Sequence, residues 1–145
     1  MKKEIMKLVL LLGLITISTF GYSQSVEGIW QTFDDETNKV ESDVQIYIKN
    51  GKLYGKIVKI YGNTEAERNV KCTECKGDKK NQPIKGMVFI MGLTESDGEW
   101  EGDNAILHPE TGKVYDGLIW LVDDNKLAVR GYLGWLYETN YWKRK

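Results

Sequence analysis

The chain has 145 residues, with 20 basic and 21 acidic side chains, a single His and two Cys. That length suits one domain, and a near-neutral balance without a basic face argues against nucleic acid or an anionic membrane surface as partner. Glycines (15) and aromatics (11%) are frequent while Ala is scarce, which is the composition of a sheet protein with tight turns.

Met1 to Ser23 reads as a secretory signal peptide. Lys2, Lys3 and Lys7 supply the basic start, Leu8 to Phe20 the apolar run, and Gly21 and Ser23 the small residues before a cut ahead of Gln24. The run is shorter than the about 20 apolar residues that span a bilayer, and no Cys near the cut offers a lipid anchor. The expected domain is therefore 24–145, exported to the periplasm or beyond, in an oxidising setting. Loss of three Lys and one Glu with the signal leaves 17 basic and 20 acidic residues, a formal charge of −3.

Glu27 to Phe33 is the first run of strand type, closed by the polar stretch Asp34–Asn38. Asp43 to Lys49 alternates, with Val44, Ile46 and Ile48 on one face and Gln45, Tyr47 and Lys49 on the other. Asn50-Gly51 is a strong hairpin signal, because both positions tolerate positive φ, and Lys52 to Ile60 returns as the partner. A long connection, Tyr61 to Lys85, leads to Gly86–Thr94, which turns at Glu95–Gly98. Glu99–Leu107 and Lys113–Val122 flank a turn at His108–Gly112. Asp123-Asp124-Asn125 turns into Lys126–Leu133, and Glu138–Arg144 ends the series. About eight strands in sequential order, mostly joined by short turns, predict antiparallel hairpins. Without a helix to cover a face, the sheet must close or fold into a sandwich. An all-β, up-and-down barrel of about eight strands is expected, since it is the smallest closed form able to hold one small ligand. A sandwich would need more long crossovers than this chain has.

Cys72-Thr73-Glu74-Cys75 is the only cysteine motif and admits three readings. An exported chain with an even Cys count favours a structural disulfide. A redox dithiol needs a lowered thiol pKa, normally from a helix N-terminus, and the following Lys76–Asn81 is a polar turn. Zinc needs four ligands, and the pair with His108 supplies three at most. The motif is expected in the long loop, off the barrel, where losing a four-residue bridge would cost at most about 1–2 kcal/mol.

No Ser/His/Asp arrangement, phosphate loop or carboxylate cluster can be read from local spacing, so the sequence points to no catalytic residue, metal or cofactor. Asp116 shares parity with Leu118 and Trp120. It is either a rim residue with a satisfied hydrogen bond or a ligand anchor inside the barrel. Arg130 alternates with Ala128 and Tyr132 and faces either solvent or Asp116. If the barrel is hollow, Tyr47, Trp100, Trp120 and Tyr132 are expected to converge in it, with Asp116 and Arg130 as its polar members.

Two resemblances carry the reading further. Gly28-Ile29-Trp30 and Trp142-Lys143-Arg144 resemble the lipocalin and calycin barrel signature, which implies that Trp30 plugs one end beneath Arg144 and that Gly28 belongs to the same closure. Nearly the whole domain resembles the domain of unknown function 2147 family. This rests on Gly28-Ile29-Trp30, Gly51 to Ile57, the CxxC, Gly86, Gly112-Lys113-Val114-Tyr115, Leu127 to Tyr132 and Trp142-x-Arg144. The family supplies a fold expectation and no reaction. Gly134 to Tyr141 departs from the pattern, with Trp135 and Tyr137 where a plainer loop is expected. Three classes of function follow by fold analogy: a barrel binding a small apolar or amphipathic molecule, an envelope interaction or structural module with no ligand, and a minor redox or hydrolytic enzyme. Ligand identity and oligomeric state are not legible.

Overall fold

Eight antiparallel strands form one closed barrel in sequential order: β1 (Gly28–Phe33), β2 (Val40–Lys49), β3 (Lys52–Ile60), β4 (Val88–Ser96), β5 (Glu99–His108), β6 (Lys113–Asp123), β7 (Lys126–Leu133) and β8 (Leu136–Arg144), with β8 returning to β1. These elements come from a computed structural model that describes residues 24–145; the expected signal peptide lies outside them. The hairpin read from Asn50-Gly51 and the turn read at Glu95–Gly98, which narrows to Asp97-Gly98 because β4 runs on to Ser96, follow from backbone chemistry. All four residues have positive φ, at 52°, 73°, 51° and 81°, the pairing that a two-residue turn with the twist of its strands demands. The long connection holds a one-turn helix α1 (Glu65–Arg68), capped by Thr64 and Glu67, and a 3₁₀ turn at Gly77–Lys79. No helix among the described residues is long and apolar enough to cross a membrane.

One end of the barrel gathers the entry to β1, the turns at 50–51, 97–98 and 124–125, and the end of β8. Trp30 closes this end. It is fully buried, its indole Nε1 donates to the Val26 carbonyl at 2.9 Å, and the Arg144 guanidinium lies 4.2 Å from its ring centre. Arg144 also donates to three carbonyls, Asp124 (2.6 Å), Glu27 (2.9 Å) and Ser25 (2.8 Å), so one cation ties the β6–β7 turn to the segment entering β1. Gly28 is fitted to this cluster twice over. Its φ is +140°, and a Cβ there would sit 2.8 Å from an Arg144 nitrogen.

The interior is filled by side chains. Val44, Ile46, Leu53, Ile90, Leu93, Ile119 and Leu127 are buried to within 1% of full, and Phe89 and Trp142 meet across the interior with ring centres 6.2 Å apart. Alternation makes the inward set of β6 Tyr115, Gly117 and Ile119, with Ile119 paired to Trp100 on β5 and Val129 on β7.

The connection after β3 does not hang off the barrel, as its polar sequence suggested. Cys72 and Cys75 are joined in a disulfide and are 0% and 2% exposed, in one apolar cluster with Ile57, Ile84, Met87 and Leu107. Cys72 Sγ rests 2.8 Å from the Pro109 carbonyl oxygen. Gly112, at φ +69°, lies so close to Glu74 that a Cβ would overlap the Glu74 carbonyl. The disulfide thus docks the connection on the β5–β6 turn.

Among the described residues one charged side chain is buried outright. Asp43 accepts from Gln31 Nε2 (3.3 Å), the Tyr61 hydroxyl (3.2 Å) and Lys145 Nζ (2.6 Å), which fastens the last residue to β2. Burial alone would raise its pKa; the bonds from Lys145 and Gln31, the Lys145 charge and the Tyr61 bond outweigh burial and hold it below the ordinary carboxylate value. A depressed carboxyl stabilises the fold above its unfolded pKa, about 3.9, and loses that contribution as pH falls through the folded value. Asp43→Asn is expected to be less stable at neutral pH by about 1–2 kcal/mol, allowing for half-exposed Lys145. Its denaturant midpoint should then fall less than that of the wild type below about pH 4. Parallel pH curves for the two proteins would contradict the assignment. Glu41 acts in the opposite sense, since burial and then Glu110, Asp34 and Asp35 push its pKa up, so the comparison has to be made against the single variant.

Candidate functional site

Asp116, Leu118 and Trp120 share one face of β6, but it is the outer one. Ile119 takes the inward position, and the same parity carries through β7 and β8. The register sets Leu118 beside Arg130 and Arg130 beside Thr139, Trp120 beside Ala128, and Tyr132 beside Tyr137. Ala128, between Trp120 and Tyr141, is fully covered although it faces outward.

At the centre of this wall Arg130 is held by its neighbours. Its Nε donates to the Thr139 hydroxyl at 2.7 Å and one terminal nitrogen donates to the Tyr132 hydroxyl at 3.3 Å. The guanidinium lies 4.4 Å from the Tyr137 ring centre and 5.0 Å from that of Trp120, both inside the limit of about 6 Å for a cation–π contact. The Tyr132 hydrogen bond pushes its pKa further up. Among the described residues the only carboxylate–cation pair is Asp43–Lys145, so no acid neutralises Arg130. Lys126 Nζ sits 4.5 Å from the Tyr141 ring centre further along the wall, and a depression of about 300 Å³ opens between Lys126, Tyr141 and the Asp123–Asn125 turn. The arrangement offers a planar cation against aromatic rings, with three N–H groups that donate to no described residue. That geometry suits a carboxylate or phosphate attached to an apolar body.

The interior convergence expected from the sequence does not occur. Of the six residues, only Trp100 points inward, against Ile119. Trp120, Arg130 and Tyr132 come together outside. Tyr47 lies on the outer wall of β2, stacked on Tyr54 with ring centres 5.6 Å apart, beside a second depression of about 340 Å³. Asp116 does not partner Arg130; its Oδ1 accepts from the Asn104 backbone N–H at 2.7 Å, where Asn104 takes φ +48° in the irregular part of β5. The physical reason is that both faces of β6 carry apolar residues. Gly117 leaves inner space that Ile106 fills, and Trp120 covers Ala128 rather than the core.

Sequence reasoning missed Tyr137, Thr139 and Tyr141. The signal was Gly134. Its φ of +62° makes Gly134-Trp135 a two-residue turn, so β8 starts at Leu136, not Glu138, and Thr139 falls opposite Arg130. Among the described residues no three His, Cys, Asp or Glu side chains converge as metal ligands would.

No curated protein sequence matches the chain. A solved structure, Protein HP1028 from the human pathogen Helicobacter pylori, described as belonging to the lipocalin family, is similar with a TM-score of 0.69. The identity is 23%, over 83% of each chain, and the likeness shows a lipocalin-like barrel. A family described as "Uncharacterized protein conserved in bacteria (DUF2147)" matches residues 28–144. The chain therefore belongs to the DUF2147 family of bacterial proteins.

Proposed function

We propose that this is an exported binding protein that takes a small amphipathic anion on the outer wall of β6, β7 and β8. The observation that carries the reading is Arg130, a cation with no acidic partner among the described residues, held by Thr139 and Tyr132 among the rings of Trp120 and Tyr137. Arg130 binds the anionic head group, and the aromatic wall towards Tyr141 carries the apolar part. The filled interior supports an outer rather than an inner site, because a ligand of drug size needs about 300 Å³ of enclosed space. Export rests on the basic and apolar N-terminal segment, and the oxidised Cys72–Cys75 pair is compatible with it.

Calorimetric titration with dodecanoate and with dodecylamine tests the reading. Dodecanoate is expected to bind and the amine not. Arg130→Gln should weaken dodecanoate about tenfold or more, the scale of one charge-assisted hydrogen bond, and Trp120→Ala should weaken it as well. Equal binding of the two amphiphiles, or binding indifferent to both substitutions, would overturn it.

A further inference from the structure

β8 outruns the strand that should cover it. β1 meets β8 only at Trp30–Arg144 and Gln31–Lys143 and ends at Phe33, while β8 extends back to Leu136. The Lys145 N–H donates to Ile29 on the β1 side and the Arg144 N–H to Asn125 on the β7 side. Alternation then directs the backbone groups of Tyr137, Thr139 and Tyr141 away from β7, to the side where β1, ending at Phe33 level with Tyr141, makes no ladder pair with them. Free edges are normally blunted by Pro, Lys or a bulge. From Leu136 to Tyr141 this edge has no Pro, Lys or bulge, its one charge being Glu138, and its register with β7 is unbroken. Large apolar side chains flank it in the open: Trp135 is 86% exposed, Tyr137 62%, Leu136 55% and Tyr141 51%.

We infer that a second copy of this chain pairs along this edge, β8 to β8, antiparallel about a two-fold axis at Thr139. Pairing within one continuous sheet keeps outer residues opposite outer residues, so the axis must pass through a residue. At Glu138 it would set two carboxylates face to face. At Asn140 it would set Tyr137 against Lys143, whose backbone already serves β1. At Thr139 all the outward backbone groups are used, Thr139 with Thr139 and Tyr137 with Tyr141, and Glu138 faces Asn140, a neutral hydrogen-bonding partner. Trp135 falls level with Lys143 of the second copy, and that Lys already lies 4.8 Å from its own Phe33 ring centre. The two Arg130 residues stand three strand spacings apart, about 14 Å, beyond the screening length at physiological salt. Thr139 at the axis also holds Arg130 and Tyr137 stacks on it, so the pairing adjoins the proposed anion site, and the cross-linking test is read without ligand.

Light scattering at increasing concentration, with site-directed cross-linking, tests this. The wild type should pass from monomer to dimer. Thr139→Pro should remain monomeric while keeping the wild-type circular dichroism, since a Pro is tolerated where the N–H faces outward on an edge. Under mild oxidation Thr139→Cys should give a covalent dimer by itself. Tyr137→Cys should cross-link only when mixed with Tyr141→Cys. A wild type that stays monomeric, or cross-linking without this pair specificity, would overturn the inference. If Thr139→Pro unfolds, the cross-linking pattern decides alone.

Discussion

Trp30→Ala is expected to cost the barrel about 3–5 kcal/mol, the range for removing a large buried aromatic. Trp30 is completely buried at the closed end. Its loss also removes the face on which Arg144 lies, 4.2 Å from the ring centre, and so loosens the three carbonyl contacts that bind the chain ends. Denaturant unfolding of the variant measures the effect. A loss within about 0.5 kcal/mol, the level of a surface substitution, would mean that this end closes by other means. Arg144→Ala should fall between the two.

The second large effect belongs to the disulfide. Loop-closure entropy for a four-residue bridge gives only about 2 kcal/mol. The sulfurs of Cys72 and Cys75, however, are part of the apolar cluster that holds the connection on the β5–β6 turn. Replacing both with Ser buries two hydroxyls in place of that contact, and about 3–5 kcal/mol is expected in all. Replacing both with Ala should cost less than Ser, because no hydroxyl is then stranded. Thermal unfolding of the two double variants separates the contributions. A shift of only the loop-closure size, equal in Ser and Ala, would show that sulfur burial contributes nothing.

The strands and the hairpins were legible because their signals are local. Asn50-Gly51 announces positive φ, the Glu95–Gly98 cluster announces a turn, and alternation in β2 and β7 follows from one side of a sheet facing a core. Parity was equally legible: Asp116 and Trp120 do share a face. Which face could not be read, because Tyr115, Ile119 and Leu121 compete with Leu118 and Trp120 on apolarity. The choice is made by Trp100 and Val129, on other strands. Burial of the CxxC was hidden for the same reason. Its neighbours Pro109 and Gly112 are distant in sequence, and the polar residues around it describe only the side of the connection that meets water. Asp43 looked like an ordinary strand residue. Its three partners come from β1, from the start of the long connection and from the last residue of the chain. The site around Arg130 was half legible, since Trp120 and Tyr132 could be named from alternation. Its other half, Tyr137 and Thr139, depends on the register that Gly134 sets.

On the proposed function, recognition lies on the outer wall and not in the barrel. Amide and indole shift mapping of nitrogen-labelled protein during titration with dodecanoate tests it most directly. The account predicts that the largest changes fall on Arg130, Tyr132, Tyr137 and Thr139 and on the Trp120 indole, while the Trp100 indole and the amides of Phe89 and Leu93 hold still. Changes centred on Trp100, Phe89 and Leu93 would put the ligand inside the barrel and contradict the account.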